Sequence, residues 1–133
     1  MDTMINAVIN GKIMPLHYSV EVMFAVNDKY GSVQAALDVL QCDNKEGFDC
    51  LRFLAVTMAN DAELCRRAEG YDSAPMIELK DLSIRMKPAV YMLLKEAVSQ
   101  AITLGYTQEL GDDENKETDL GLLELQKKEE AGA

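Results

Sequence analysis

The sequence predicts a mainly α-helical domain over residues 1–110, opened by an N-terminal β-hairpin and continued by a compact bundle of about five to six helices, with an acidic tail over 111–133. Three observations lead there. Strand-like composition is confined to Met1–Ser19, where Asn10-Gly11 stands between two apolar runs. From Tyr18 to Tyr106, apolar residues recur at helical spacing between Ser, Asn, Gly and Pro punctuation. Beyond Leu110 the chain turns acidic, with eight acids against three lysines over 111–133.

Thr3 to Ile9 is rich in β-branched and apolar residues and reads as the first strand; Lys12 to Tyr18 returns as the second. The Asn-Gly pair suits a type I′ turn, which needs φ > 0 at both central positions. Pro15 makes the second strand an edge, because it has no N–H to give a further neighbour. Ser19 is placed to cap the first helix, with Val22, Met23, Val26 and Tyr30 on one face and Gly31 beyond its end. Ser32 caps a second helix with Val33, Ala36, Leu37 and Leu40 inward.

Asp43 or Asn44 then caps a nearly all-apolar helix from Glu46 to Ala59, in which Gly47 is a cost of about 1 kcal/mol against Ala. Asn60 and Asp61 look like a fresh cap, followed by a short helix from Ala62 to Glu69 that Gly70 ends. Tyr71 to Ile77 is a loop, and Glu78 to Met86 a helix with Leu79, Leu82 and Met86 inward. Pro88 opens the last helix, whose stripe of Val90, Leu93, Leu94, Ala97, Val98, Ala101 and Ile102 runs to Leu104, with Gly105 as its stop. The tail is too acidic to fold alone and is expected to be disordered, though Leu120, Leu122, Leu123 and Leu125 offer a helical turn to a partner.

The chain has 133 residues, 48% of them hydrophobic, and a formal net charge of −10. An acidic surface repels phosphate backbones and anionic lipid, so neither nucleic acid nor a membrane is an expected partner. No apolar run reaches the ~18 residues that a membrane span needs. The start lacks the basic and long apolar regions of a signal peptide, and Cys42, Cys50 and Cys65 are an odd set best read as reduced thiols, so a cytoplasmic location is expected.

Catalytic chemistry is sparse. His17 is the only histidine and reads as a surface or strand residue; without a second one there is no His pair for zinc. Cys42 and Cys50 are too far apart for a CxxC motif and Cys65 stands alone. A nucleophilic thiol needs a base beside it, and His17 is the only imidazole available. No glycine-rich phosphate loop occurs. Met14, Met23, Met58, Met76, Met86 and Met92 either fill an irregular core or form an adaptable partner groove. The expectation is a non-enzyme with no cofactor and no metal.

The hairpin INGKIMPL (Ile9–Leu16), the closing NDKYGS (Asn27–Ser32), the following AALDVL, a buried helix, the acidic-then-basic stretch Asp61–Glu69, Asp81-Leu82 and the ending LGY (Leu104–Tyr106) come in an order that resembles the tail assembly chaperones of long-tailed bacteriophages and prophages. The resemblance implies a small, non-catalytic helical protein of the host cytoplasm that binds the tape-measure protein, aids tail-tube assembly and is absent from the mature virion. A partner groove is then expected between the opening helices and the last one, with Met23, Phe24, Tyr91 and Met92 at its lips; the alternative is that these four are ordinary core. A small acidic adaptor or regulator binding a host or phage protein is the competing function. The oligomeric state is left open by the sequence, although a chain with this much apolar helix surface often self-associates when its partner is absent.

Overall fold

The computed structural model describes residues 4–9, 11–82 and 85–107, and its secondary structure is mainly helical behind an N-terminal hairpin. The segment expected to be an acidic tail lies outside the described residues.

Strand β1 (Ile5–Ile9) pairs antiparallel with β2 (Lys12–Leu16), Ile5 opposite Leu16 and Ala7 opposite Met14. The two-residue period sends Ala7, Ile9, Met14 and Leu16 into the core. It leaves Val8 and Ile13, paired across the strands, on the outer face. The second strand stops at Leu16, short of the expected Tyr18. The His17 N–H donates to Met58 O on a helix, 3.1 Å away, so the ladder cannot continue.

Helix α1 (Val20–Tyr30) starts at Ser19, whose hydroxyl accepts from the Val22 N–H, and ends at Gly31 with φ 91°, a conformation only glycine adopts cheaply. Helix α2 (Val33–Leu40) is capped by Ser32. Helix α3 (Lys45–Ala68) is capped by Asn44, which accepts from the Gly47 N–H at 2.9 Å. Helix α4 (Pro88–Thr107) begins on its proline. The expected inward faces of α1 and α2 are the packed ones: Val22, Val26, Ala36 and Leu40 are buried, and Met23, Tyr30, Val33 and Leu37 lie against them.

Four α-helices are found among the described residues, fewer than the five to six expected, and two corrections account for the difference. The break expected at Asn60-Asp61 does not occur: α3 runs through it for 24 residues. Both side chains have other partners. Asn60 accepts from the Ile77 N–H and donates to the Ile77 carbonyl, at 2.9 and 3.0 Å, and Asp61 accepts from His17. Neither is left to compete for the helix backbone. The helix expected over Glu78–Met86 is a 3₁₀ turn at Leu79–Leu82. Asp81 turns back to accept from the Glu78 N–H at 2.8 Å, and Arg85 has φ 34°, outside the helical region. Leu82 is buried as expected and Met86 packs on the core, but Leu79 is half exposed.

Helix α3 is the central rod. It packs against β2, α1, α2, α4 and the 3₁₀ turn, while α4 lies under β1. Its buried positions Cys50, Leu51, Leu54, Ala55, Met58, Ala59 and Ala62 recur every three or four residues. The methionines divide. Met14 and Met58 are core, Met23 and Met86 flank it, and Met76 and Met92 face outward.

Two helical glycines are sites of close approach. A Cβ on Gly47 would lie 1.9 Å from the Cys42 carbonyl oxygen, so the first turn of α3 can meet the preceding turn only without a side chain. The apparent cost of glycine at 47 is therefore reversed. Gly105 does not stop α4, which continues to Thr107; it makes room for Tyr18, whose atoms would come within 2.6 Å of a Cβ there. Tyr18 is buried there, its hydroxyl 3.3 Å from that of Tyr106, and burial followed by that contact pushes its pKa well up.

Gly47→Ala, a change that stabilises most helices, is expected to destabilise this one by about 1–3 kcal/mol because it overpacks against backbone. A lower midpoint in urea, read by circular dichroism, is the expected result; an unchanged or higher midpoint would contradict the packing described.

Candidate functional site

Two places on the molecule gather side chains capable of recognition or chemistry. The first is an open groove of about 550 Å³ between the α2–α3 turn and α4, lined by Gln41, Asp43, Pro88, Tyr91, Met92, Lys95, Glu96 and Ser99. Of these, Tyr91 stacks obliquely on Phe48 of α3 with ring centroids 6.1 Å apart, and the Arg52 guanidinium lies over Phe48. Its wall is polar. Asp43 accepts from both Lys95 Nζ and the Tyr91 hydroxyl at 3.2 Å, and Lys95 above all holds the Asp43 carboxyl below its usual range.

Of the four residues expected at a partner surface, Tyr91 and Met92 line this groove. Met92 is 67% exposed and its neighbour Leu93, expected in the buried stripe, is 66% exposed. Leu93 falls on the opposite flank of α4, against β1, beside Ile5 and Val8. Met23 and Phe24 are on α1 and are not among the groove's lining residues. Met23 packs against the core, while Phe24 is exposed one helical turn beyond the equally exposed Val20. Thus the groove borders the end of α2, not α1.

The second place was not legible as a site. His17 leaves β2 over the face of α3 that carries Asp61 and Cys65, four residues apart and so on one side of the helix. His17 Nδ1 lies 2.7 Å from Asp61 Oδ2 and 3.3 Å from Cys65 Sγ. Histidine and aspartate side chains are 17% and 12% exposed, so the pair is shielded without being sealed. His17, expected as a surface or strand residue, stands directly after β2 and is a largely shielded tie between hairpin and helix. Both contacts fall on the same ring nitrogen. A thiol nucleophile relayed through imidazole needs the thiol on one nitrogen and the carboxylate on the other. This arrangement therefore does not form that relay. The signal that could have found it is the i, i+4 spacing of Asp61 and Cys65, which has meaning only once the helix is continuous.

On a neighbouring face of α3, Glu63 is buried yet fully engaged. It accepts from the Ala74 N–H at 2.7 Å, from Arg67 at 3.0 Å and from Arg66. Arg66 and Arg67 also donate to the Asp72 and Ala74 carbonyls, so the loop after α3 is laid back along it. The Ala74 N–H, aided by the two guanidiniums and opposed by burial, holds the Glu63 pKa down to about 2.

Among the described residues no helix is long and apolar enough to cross a membrane. No protein-family model, no curated protein and no solved structure matches this chain.

The Glu63 latch has a pH signature. Unfolding returns Glu63 to a pKa near 4.5, so below that value the unfolded chain takes up a proton that the folded chain refuses until about pH 2. The stabilisation is complete above pH 4.5 and is lost as pH falls toward 2. Thermal melts from pH 6 to 2.5 are expected to fall less steeply in Glu63→Gln than in the parent protein. Parallel curves would show that the latch carries no charge-dependent stability.

Proposed function

We propose that this chain is a non-catalytic assembly protein that covers an apolar helix of another polypeptide, and that the groove beside α4 is where it does so. One observation carries the reading. Met92 and Leu93 are large, adjacent, and both about two-thirds exposed on a helix whose other face already supplies the core. Single exposed apolar residues are ordinary, but Met92 lines an open groove beside Tyr91 while Leu93 bares a second apolar spot on the other flank of the same helix, and two such spots on one helix are costly to leave in water without a partner. Elsewhere Val8 with Ile13, and Val20 with Phe24, form further exposed apolar pairs.

The groove's chemistry suits a helical partner. Pro88, Tyr91 and Met92 offer apolar contact, and methionine adapts to varied side chains. Asp43, Lys95 and Glu96 form a rim that favours polar flanks on the incoming helix. A surplus of acid keeps the loaded complex soluble. The resemblance of residues 5–106 to tail assembly chaperones of long-tailed phages makes the partner a tape-measure protein, with tail-tube subunits recruited to the complex. In that setting the protein works in the host cytoplasm and leaves before the virion is complete.

Co-expression with a phage tape-measure protein tests this. Met92→Glu is expected to fold like the parent and to lower the soluble partner at least about tenfold, since a charge in an apolar contact costs more than ~1.4 kcal/mol. Phe24→Glu, on α1, reports whether that helix shares the surface. A folded Met92→Glu protein that keeps the partner fully soluble would remove the groove from the reading.

A further inference from the structure

His17, Asp61 and Cys65 bring an imidazole nitrogen, a carboxylate oxygen and a sulfur within 4.8 Å of one another. We propose that these three residues form a zinc site, with His17 Nδ1, Asp61 Oδ2 and Cys65 Sγ as ligands. The site is remote in function from the α4 groove, and it stands or falls independently of the partner-binding reading.

The donor set is the first argument. Nitrogen, thiolate sulfur and carboxylate oxygen together are the ligands of zinc; calcium and magnesium take oxygen almost exclusively. Three different residue types converge here from two separate elements, which a solvated cluster of acids does not do. A thiolate and a carboxylate also supply two negative charges against the ion's two positive ones; on binding the thiol proton leaves to solvent, and the imidazole gives up the Nδ1 proton and carries its one proton on Nε2, which frees the Nδ1 lone pair for the ion.

Geometry is the second. Zinc bonds of ~2.0–2.3 Å in a tetrahedron place ligand atoms roughly 3.3–3.6 Å apart. The sulfur already lies 3.3 Å from the ring nitrogen, the carboxylate oxygen at 2.7 Å has to move outward from it by roughly half an ångström, and oxygen and sulfur, within 4.8 Å of each other, have to close by at most roughly 1.5 Å. Adjustments of that size are within reach of rotation about the Asp61 and Cys65 side-chain bonds. The frame is held meanwhile by the His17 N–H donating to Met58 O. Asp61 and Cys65 sit one turn apart on α3, a spacing that points two ligands at one ion. Three protein donors leave the fourth position of the ion to water.

The consequence is mechanical. The hydrogen-bonded contacts join residues 44 and 48 positions apart, so an ion held there ties the exit of the hairpin to the C-terminal third of α3. Binding only in the folded chain stabilises it by mass action.

The experiment uses the full chain carrying Cys42→Ser, which removes the exposed thiol and leaves the fully buried Cys50. Zinc is titrated against a chromophoric chelator, and cobalt is used to detect a sulfur-to-metal charge-transfer band. One equivalent of zinc, a raised melting temperature with zinc, and the cobalt band are expected. Cys65→Ser is expected to abolish the band. Cys65→Ser and Asp61→Asn, checked for native circular dichroism, are each expected to weaken zinc at least about tenfold and to lose the thermal shift. No zinc uptake by the folded parent, or uptake undiminished in folded Cys65→Ser, overturns the proposal.

Discussion

Everything in this structure leans on α3 passing unbroken through Asn60 and Asp61. Short polar side chains at such a point ordinarily compete for backbone N–H groups and end a helix. Here both are committed elsewhere, Asn60 to the backbone of Ile77 and Asp61 to His17. The helix therefore extends for 24 residues, roughly 36 Å, and gives the hairpin, α1, α2 and α4 a common support. The same commitments fasten the hairpin exit and the loop after α3. Helix continuity and the docking of both segments are one event: each supplies the partners that the other needs.

Burial on this rod leaves two kinds of outward surface. One is apolar and lies mostly on the elements packed around α3: Val8 and Ile13 on the hairpin, Val20 and Phe24 on α1, Met92 and Leu93 on α4, with Leu64 on α3 itself. The other is polar and lies on α3 itself, where His17, Asp61 and Cys65 meet on one face and Glu63 gathers two arginines and a backbone N–H on the next. The proposed partner groove and the proposed zinc ligands thus lie on different elements. A partner helix lying on α4 does not have to disturb the ties that hold α3.

The sequence was most readable where a signal is local. Gly11, the Ser19, Ser32 and Asn44 caps, Gly31 and Pro88 each act within one turn of themselves, and all stand where local physics puts them. It was least readable where a residue's meaning depends on something distant. Asn60 and Asp61 have cap chemistry, but their partners are 17 and 44 residues away. Gly47 scores as a weak helix former, yet the carbonyl of Cys42 demands it. Leu93 fits the apolar stripe of α4 by spacing and still faces out, because the stripe is wider than the surface available to cover it.

Composition, periodicity and punctuation alone determined a mainly helical chain behind a hairpin and the inward faces of α1 and α2. Only the tertiary structure decided that two expected helices are one, that the groove runs along the end of α2, and that the single histidine meets an aspartate and a cysteine. The reason is range. Caps and helical faces are written in neighbours three or four residues apart, whereas a converging cluster exists only after long loops have closed and the entropy of closing them has been met by the buried core.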